Sequence, residues 1–182
     1  RVGLKGSVSD IEDLAGQYRV KYEIMGNPKI SILIPNKDHV DDLDKCIRSV
    51  IGRQDYTNYE VIVIENNSTE EATFEYYKKI EQEFDCLKVV YWDAEFNYSK
   101  INNFGVKYAT GEYLLLLNND TEMIGTDCLS ELLSYGQRPD VGIVGAKLLY
   151  EDDTVQHAGV IMGFGGLAGH AFVNNSKDDG GY

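Results

Sequence analysis

Apolar residues along the chain form short continuous runs at residues 30–34, 60–65, 87–92 and 113–118. Runs of this length, rich in Ile, Val and Leu and bounded by polar or turn-forming residues, are typical of strands buried in a parallel sheet. Pro35 is expected to end the first of them, because proline lacks the N–H that a sheet interior needs. The run from Leu114 to Leu117 predicts a strand that is buried on both faces.

Between these runs, apolar residues recur at three- and four-residue spacing, which predicts helices at residues 41–51, 68–84, 99–109 and 127–136. Ser68 and Glu71 have the spacing of a capping box, and Ser99 is placed to cap the next helix. Strand and helix therefore alternate four times. This alternation predicts an α/β domain with a mostly parallel central sheet and helices on both faces.

The two ends of the chain have a different pattern. Residues 10–23 carry helical spacing after Ser9 and predict an N-terminal helical extension over residues 1–27, broken at 26–28. After Pro139, short Gly-rich segments at 141–145, 154–161 and 168–172 predict a small, partly antiparallel C-terminal part. The sequence starts without Met and stops in a polar stretch, so we expect a domain of residues 28–182 that is truncated at its C-terminal end.

Composition and charge narrow the function classes. Among 182 residues, 17 are basic and 30 acidic, a net charge of −13 that argues against a nucleic-acid surface or an anionic membrane face as the main partner. A nucleotide ligand remains compatible, since a divalent cation supplies positive charge locally. Three cysteines without CxxC spacing predict free thiols in a reducing cytoplasm, and no stretch has the length of a membrane-spanning helix.

Polar side chains follow three of the predicted strands, at residues 35–38, 65–68 and 118–120. In an open α/β sheet, ligands bind beyond the carboxyl ends of the strands, so these exits are expected to converge on one crevice. No P-loop or GxGxxG motif follows a strand, and Asp120 is placed to hold a hard cation and, through it, a phosphorylated ligand. The alternative is structural, with Asp120 opening a turn and the other exits forming Asx turns or helix caps.

The motifs at residues 30–38, 60–70, 103–113 and 117–120, continued at 144–150 and 156–160, resemble the nucleotide-sugar half of family 2 glycosyltransferases. The later segments are similar to the bacterial rhamnosyltransferase and polysaccharide-biosynthesis branch. The resemblance implies the GT-A (nucleotide-diphospho-sugar transferase) fold and transfer with inversion.

The resemblance also implies residue roles. Pro35, Asn36 and Asp38 would pass beside the base, and Glu65, where the family usually has Asp, would accept a hydrogen bond from the imide N–H of uracil or thymine. The motif from Asn118 to Asp120 stands in for Asp-x-Asp, with one carboxylate where two are common.

In this motif, Asn118 would face the ribose or base, and Asp120 would bind Mn²⁺ or Mg²⁺ on the diphosphate. Asn97 and Lys100 are placed to reach the diphosphate or the base, with a solvated helix start as the alternative. His157 is a candidate for the donor or acceptor pocket, against a structural role beside glycine. Phe96 is expected in the core or in a pocket wall.

The resemblance predicts a metal-dependent hexosyl- or deoxyhexosyltransferase that uses a UDP- or dTDP-sugar and a glycan or lipid-linked glycan acceptor. We expect it in the cytoplasm, with peripheral association at the inner membrane face left open. None of the acids matches the family's general base, which is expected beyond Tyr182. Three alternatives stay open: a non-catalytic nucleotide-sugar-binding module, a sugar nucleotidyltransferase, and a domain that binds a protein partner.

Overall fold

A computed structural model describes residues 3–11 and 16–179. These residues belong to two compact units, one comprising Arg1–Glu23 and Glu131–Tyr182, the other Ile24–Ser130. The strands, in chain order, are β1 (Gly6–Asp10), β2 (Tyr18–Tyr22), β3 (Ile30–Asn36), β4 (Tyr59–Glu65), β5 (Leu87–Tyr91), β6 (Tyr113–Leu116), β7 (Leu148–Leu149), β8 (Val155–His157), β9 (Val160–Met162) and β10 (Ala168–His170). The helices are α1 (Val40–Val50), α2 (Glu71–Glu83), α3 (Tyr98–Gly105) and α4 (Cys128–Gly136), with 3₁₀ turns at Val106–Tyr108 and Phe164–Gly166.

The unit Ile24–Ser130 is built on a four-stranded parallel sheet in the order β5-β4-β3-β6. The predicted alternation of strands and helices is therefore confirmed. β3 runs two residues further than expected, through Pro35 to Asn36. Pro35 is tolerated because its register with β6 has already ended at Leu33, so the missing N–H leaves no ladder bond unmade on that side.

Helices cover both faces of this sheet, as predicted. α3 packs on the face that carries Leu33, Ile62 and Ile64, and a Cβ added at Gly105 would collide with Ile64 Cδ1. Glycine therefore lets α3 approach the sheet closely. On the opposite face, α2 brings the hydroxyl of Tyr77 to Asn36 at the end of β3.

The prediction that the four-leucine strand is buried on both faces is wrong. β6 is the edge strand of the sheet, and Leu114 and Leu116 are 48% and 47% exposed. Both lie in register with β3 residues on the face covered by α3, whose main contacts with the sheet are with β3 and β4. An apolar run shows that a strand can be buried, but the extent of the covering helix decides whether it is.

The second unit corrects the N-terminal prediction. β1 and β2 form an antiparallel hairpin where residues 10–23 were expected to be helical, while residues 12–15 lie outside the described part. Tyr18, Val20 and Tyr22 alternate with Arg19 and Lys21, a period of two that indicates a strand.

The C-terminal segments of this unit are antiparallel pairs, β7 with β8 and β9 with β10, as predicted. The segment 141–145 is not a strand, contrary to the prediction. Asp152 and Asp153 lie in the exposed turn between β7 and β8.

The amino end of the sheet is closed by a buried carboxylate. Glu60, at 7% exposure, accepts hydrogen bonds from Ser31 Oγ at 2.7 Å and from Thr110 N and Oγ1 at 2.6 and 2.8 Å. Lys88 Nζ donates to it at 3.2 Å, and Lys29 Nζ lies at 3.6 Å. These contacts tie β3, β4 and the approach to β6 together.

The described residues bear on two expectations from the sequence, one about membrane-spanning helices and one about the cysteines. Over 3–11 and 16–179, no helix is both long enough and apolar enough to cross a membrane. Cys46, Cys86 and Cys128 are free thiols, as predicted.

Candidate functional site

The carboxyl ends of three parallel strands meet at one edge of the sheet. Asn36 and Glu65 end β3 and β4 as register partners, and Asn119 follows β6. The side chain of Asn119 donates from Nδ2 to Asn36 Oδ1 at 2.7 Å. The predicted convergence of the three strand exits is therefore confirmed.

A cavity of about 300 Å³ opens at this edge. Pro35, Asn36 and Asn118 line it, all three of them among the predicted nucleotide-binding residues. The other lining residues were not assigned individual ligand contacts, although Lys37, Asn66 and Asn119 belong to the predicted strand exits. They are Lys37, His39, Asn66, Phe96, Tyr98, Ile101 and Asn119.

The sequence held a partial signal for the missed residues. Asn66 directly follows Glu65, and Asn119 lies between Asn118 and Asp120. Their positions in the sequence therefore indicated that both lie at the carboxyl edge. Phe96 was expected in the core or in a pocket wall, and it is an exposed residue of the cavity wall. The rings of Phe96 and Tyr98 form an aromatic part of the cavity wall, whereas its asparagines form a polar part.

A chain of side-chain hydrogen bonds joins the three strand exits. Tyr77 OH donates to Glu65 Oε2 at 2.6 Å and accepts from Asn36 Nδ2 at 2.7 Å. Asn36 Oδ1 in turn accepts from Asn119 Nδ2. Burial, followed by the hydrogen bond to Glu65, raises the pKa of Tyr77 above its ordinary value, so its hydroxyl stays protonated and remains a donor.

Glu65 lies at the buried end of this series of hydrogen bonds. It is 3% exposed, and its second oxygen accepts from Ser68 N at 2.5 Å while Ser68 Oγ donates to Oε2 at 2.6 Å. Within the described residues, Glu65 is not part of the cavity lining, and both of its oxygens already accept hydrogen bonds. The geometry therefore links Glu65 to the cavity through Tyr77 and Asn36, and direct base contact by Glu65 stays a prediction.

Asp38 binds the backbone that leads into helix α2. Its Oδ1 accepts from Thr69 N at 2.9 Å and from Glu70 N at 3.0 Å. The capping box expected at Ser68 is wrong, because Ser68 is bound to Glu65 and the N-cap residue of α2 is Glu70, which makes no side-chain cap hydrogen bond. The backbone hydrogen bond from Glu70 is the main cause that holds the pKa of Asp38 below its ordinary value. Its place beside a base stays a prediction.

The loop that carries Asp38 is held in an uncommon conformation. Asp38 and His39 both have left-handed backbones, with φ of 52° and 51°. Asn36 Nδ2 donates to Asp38 O at 2.9 Å, and Asp38 N donates to Ser68 Oγ at 2.8 Å. Consecutive non-glycine residues in this region persist only where their surroundings hold them, as these hydrogen bonds do.

Asn97 and Lys100 lie at the start of α3. Asn97 Oδ1 accepts from Lys100 N at 3.0 Å, so Asn97 is the cap of this helix and the predicted cap at Ser99 is wrong. Both residues are exposed and flank Tyr98 of the cavity wall. Their contact with a diphosphate stays a prediction.

Asp120 is exposed in the turn that follows β6. Burial raises the pKa of the Cys46 thiol to about 12, with a further contribution from the negative charge of Asp120. The part of the chain that the structure describes has no group of three or more His, Cys, Asp or Glu side chains able to hold a metal. A single exposed carboxylate fits a hard cation whose remaining ligands are phosphate oxygens and water.

A family model described as "Glycosyl transferase family 2" matches residues 31–172. The chain belongs to this family. It is 48% identical over 157 residues to the O-antigen biosynthesis protein RfbC of Myxococcus xanthus. The match covers 86% of this chain and spans 12% of that relative's length.

Solved structures place this family 2 glycosyltransferase chain in the GT-A fold. It is similar to the mannosyltransferase PcManGT from Pyrobaculum calidifontis, solved with GDP-Man and Mn²⁺, with a TM-score of 0.60 and 20% identity over 66% of this chain and 35% of that one. It is also similar to S. aureus TarS 1-349 solved with UDP-GlcNAc, with a TM-score of 0.50 and 23% identity over 59% of this chain and 31% of that one.

The family match also includes His157, which lies in the second unit. His157 Nδ1 is 2.7 Å from Nδ1 of His170, and the two rings are nearly perpendicular with centroids 4.9 Å apart. One imidazole therefore donates to the other. A role of His157 in a donor or acceptor pocket of the glycosyltransferase stays a prediction.

Proposed function

We propose that this chain is the donor-binding part of a metal-dependent, inverting glycosyltransferase that uses a UDP- or dTDP-sugar. The observation that supports this most is the cavity at the carboxyl edge, lined by asparagines and aromatic rings beside the turn that carries Asp120. An α/β sheet of this type binds its ligands at the carboxyl ends of its strands.

The cavity wall suits a nucleoside. Asn66 donates from Nδ2 to the carbonyl oxygens of Trp92 and Ala94 at 3.0 and 2.9 Å, which leaves its carbonyl oxygen available as an acceptor. Such an oxygen accepts from the imide N–H of uracil or thymine, or from a ribose hydroxyl. Phe96 and Tyr98 offer aromatic surface against which a base can stack.

This arrangement shifts the proposed base contact from Glu65 to a carboxamide. A ring N–H next to a carbonyl also occurs in guanine, so an acceptor oxygen alone does not separate uracil and thymine from guanine. UDP and dTDP remain the proposed nucleotides, and GDP is the competitor against which they are to be measured.

Asp120 is the proposed ligand of Mn²⁺ or Mg²⁺ bound with the diphosphate. When bound, such a cation neutralises the charge that grows on the departing nucleoside diphosphate. Asp120 supplies one carboxylate, and this predicts weak metal affinity in the absence of nucleotide. Lys37, in the cavity wall, adds a positive charge on the protein side.

The remaining parts of the proposal concern the whole protein. The acceptor is a glycan or lipid-linked glycan, as the match to an O-antigen biosynthesis protein suggests. The general base that inversion requires is expected beyond Tyr182. We expect the protein to act in the cytoplasm, on an acceptor held at the inner membrane face.

Titration calorimetry of the chain with UDP, dTDP and GDP, each with and without Mn²⁺, tests the proposal. We expect UDP or dTDP to bind in the presence of Mn²⁺, and Asp120→Ala to weaken that binding by roughly tenfold or more, since a hydrogen-bonded or metal-bridged charge is lost. Removal of Mn²⁺ should have the same effect on the wild type and little on the variant.

The matched control is Asp85→Ala, which removes an exposed carboxylate before β5, at the opposite end of the sheet. Its affinity should equal that of the wild type. Equal affinity of the wild type and Asp120→Ala, with and without Mn²⁺, would contradict the donor site, and tighter binding of GDP would contradict the proposed base.

A further inference from the structure

The hydrogen bonds between Glu65 and Asn119 run in one direction. An ionised carboxylate only accepts, so Tyr77, with its single O–H, must donate to Glu65. The Tyr77 oxygen is then left as an acceptor for its other partner, Asn36. The negative charge at one end therefore sets the direction of each hydrogen bond that follows.

Asn36 is oriented by two acceptors at once. Its Nδ2 donates to Tyr77 OH at 2.7 Å and to the backbone carbonyl of Asp38 at 2.9 Å. A carbonyl oxygen cannot donate, so a flipped amide would set oxygen against oxygen at Asp38. The orientation of Asn36 is therefore fixed by chemistry, and its Oδ1 must face Asn119.

Asn119 is the last member of this series of hydrogen bonds. Because Asn36 presents an oxygen, Asn119 must present its Nδ2, at 2.7 Å. Its own Oδ1 accepts no hydrogen bond from the described residues, and the side chain lines the cavity next to the turn of Asp120. An acceptor oxygen is therefore left for a ligand at the cavity wall.

We propose that Glu65 and Tyr77 are positioning residues that act through Asn36 to hold the Asn119 amide with its carbonyl oxygen presented to a hydrogen-bond donor of the bound nucleotide. The proposal rests on the proposed function, and it assigns a role to the middle residue of the Asn-Asn-Asp motif. The donor is an N–H of the base or a hydroxyl of the ribose.

The same geometry explains why a buried glutamate stands behind an open site. Loss of Tyr77 OH would leave Asn36 Nδ2 held by Asp38 O alone among the described residues, so the Asn36 oxygen would hold the Asn119 amide less firmly. The Asn119 amide could then present either its NH₂ or its oxygen to the nucleotide. A nucleotide binds to an acceptor that is already oriented at a lower entropic cost than to one that must first be ordered.

A double-mutant cycle on nucleotide affinity tests the proposal. With UDP or dTDP and Mn²⁺ as the probe, Tyr77→Phe is expected to raise Kd roughly three- to tenfold, the effect of one net hydrogen bond. Asn119→Ala should raise Kd by a similar factor. The double variant should be no weaker than Asn119→Ala within about twofold, since the oxygen that Tyr77 positions is already gone.

Tyr76→Phe is the matched control. Tyr76 is the neighbouring buried tyrosine on α2. Its hydroxyl donates to Asp44 at 3.0 Å and takes no part in the hydrogen bonds that join Glu65 to Asn119. Its removal should lower the melting temperature as Tyr77→Phe does and leave Kd unchanged. If Tyr77→Phe weakens Asn119→Ala by the same factor as it weakens the wild type, Tyr77 acts only through the fold and the proposal is wrong.

A second measurement needs no ligand. In ¹⁵N-labelled protein, the side-chain NH₂ signals of Asn36 and Asn119 should be dispersed and slow to exchange, because Asn36 Nδ2 donates two hydrogen bonds and Asn119 Nδ2 donates one. Tyr77→Phe should shift both signals toward those of free amides, while Tyr76→Phe should not. Unchanged Asn119 signals in Tyr77→Phe would overturn the proposal even where Mn²⁺-dependent nucleotide binding upholds the donor site.

Discussion

Strand β4 carries two buried carboxylates, one near each end, and they serve different purposes. Glu60 is 7% exposed and Glu65 is 3% exposed, and each accepts several hydrogen bonds from side chains and backbone. Burial and the number of hydrogen bonds therefore do not distinguish a carboxylate that holds the fold from one that supports a site.

The partners of the two carboxylates do distinguish them. Glu60 faces the two ammonium groups of Lys29 and Lys88, so its charge is balanced where it lies. Glu65 accepts from the neutral groups of Ser68 and Tyr77, and the hydrogen bonds continue from there to an open cavity. A buried carboxylate whose hydrogen bonds continue through other side chains to a cavity wall is the better candidate for a functional role.

Glu60→Ala is the change with the largest expected effect. It leaves Ser31, Thr110 and two lysines without their shared acceptor, so we expect a loss of about 3 kcal/mol in the free energy of unfolding. Urea denaturation at neutral pH measures this. Mn²⁺-dependent nucleotide affinity of the folded protein should be unchanged, since the cavity lies at the other end of the sheet.

The control for this variant is Glu75→Ala, which removes an exposed glutamate from α2. It should change the free energy of unfolding by less than about 0.5 kcal/mol. A Glu60→Ala protein that is as stable as the control, or that is stable but no longer binds nucleotide, would remove the distinction between the two ends.

The pH dependence of stability is the next largest effect. Burial by itself would raise the pKa of Glu60, but hydrogen bonds from Ser31, Thr110 and Lys88 outweigh it and lower the pKa to about 2 from 4.5. Because the folded-state pKa is the lower one, this stabilisation is complete above about pH 4.5 and is lost as the pH falls toward 2.

Glu60→Gln should therefore lack this component. Between pH 6 and pH 3, the wild type is expected to lose about 2 kcal/mol more of its free energy of unfolding than Glu60→Gln does. Urea titrations of both proteins at the two pH values measure the difference. Parallel losses in the two proteins would show that Glu60 has no lowered pKa.

Asp38→Ala gives the smallest expected effect. It removes the acceptor of the Thr69 and Glu70 N–H groups just before α2, so we expect a loss of about 1 kcal/mol in the free energy of unfolding. Asp41→Ala, in the exposed first turn of α1, is the control and should cost less. A loss no greater than that of Asp41→Ala would show that the hydrogen bonds to Asp38 contribute little to stability.

Local patterns in the sequence were sufficient for much of the fold. The β-rich runs and helical spacings located β3 to β6 and α1 to α4, and the rule for parallel sheets brought Asn36, Glu65 and Asn119 to one edge. These features depend on residues that are close in the chain, or on a topology that follows from their order.

Three of the errors arose where a distant residue decides the structure. The backbone just before α2 is bound by Asp38, some thirty positions earlier in the chain, so a local capping motif at Ser68 was misleading. The direction of the Glu65 side chain depends on Tyr77, which only the fold brings to it. The exposure of Leu114 depends on how far α3 extends over the sheet, which spacing along the chain does not encode.

The most direct test of the central claim, that the carboxyl edge binds a nucleotide through a cation held by Asp120, uses the paramagnetism of Mn²⁺. In ¹⁵N spectra of the chain with UDP or dTDP, sub-stoichiometric Mn²⁺ should broaden the signals of Asn36, Asn119 and their neighbours, leave Thr110 and Lys88 sharp, and have no such effect in Asp120→Ala. Broadening that is uniform, that centres on the amino edge, or that persists in Asp120→Ala would contradict the account.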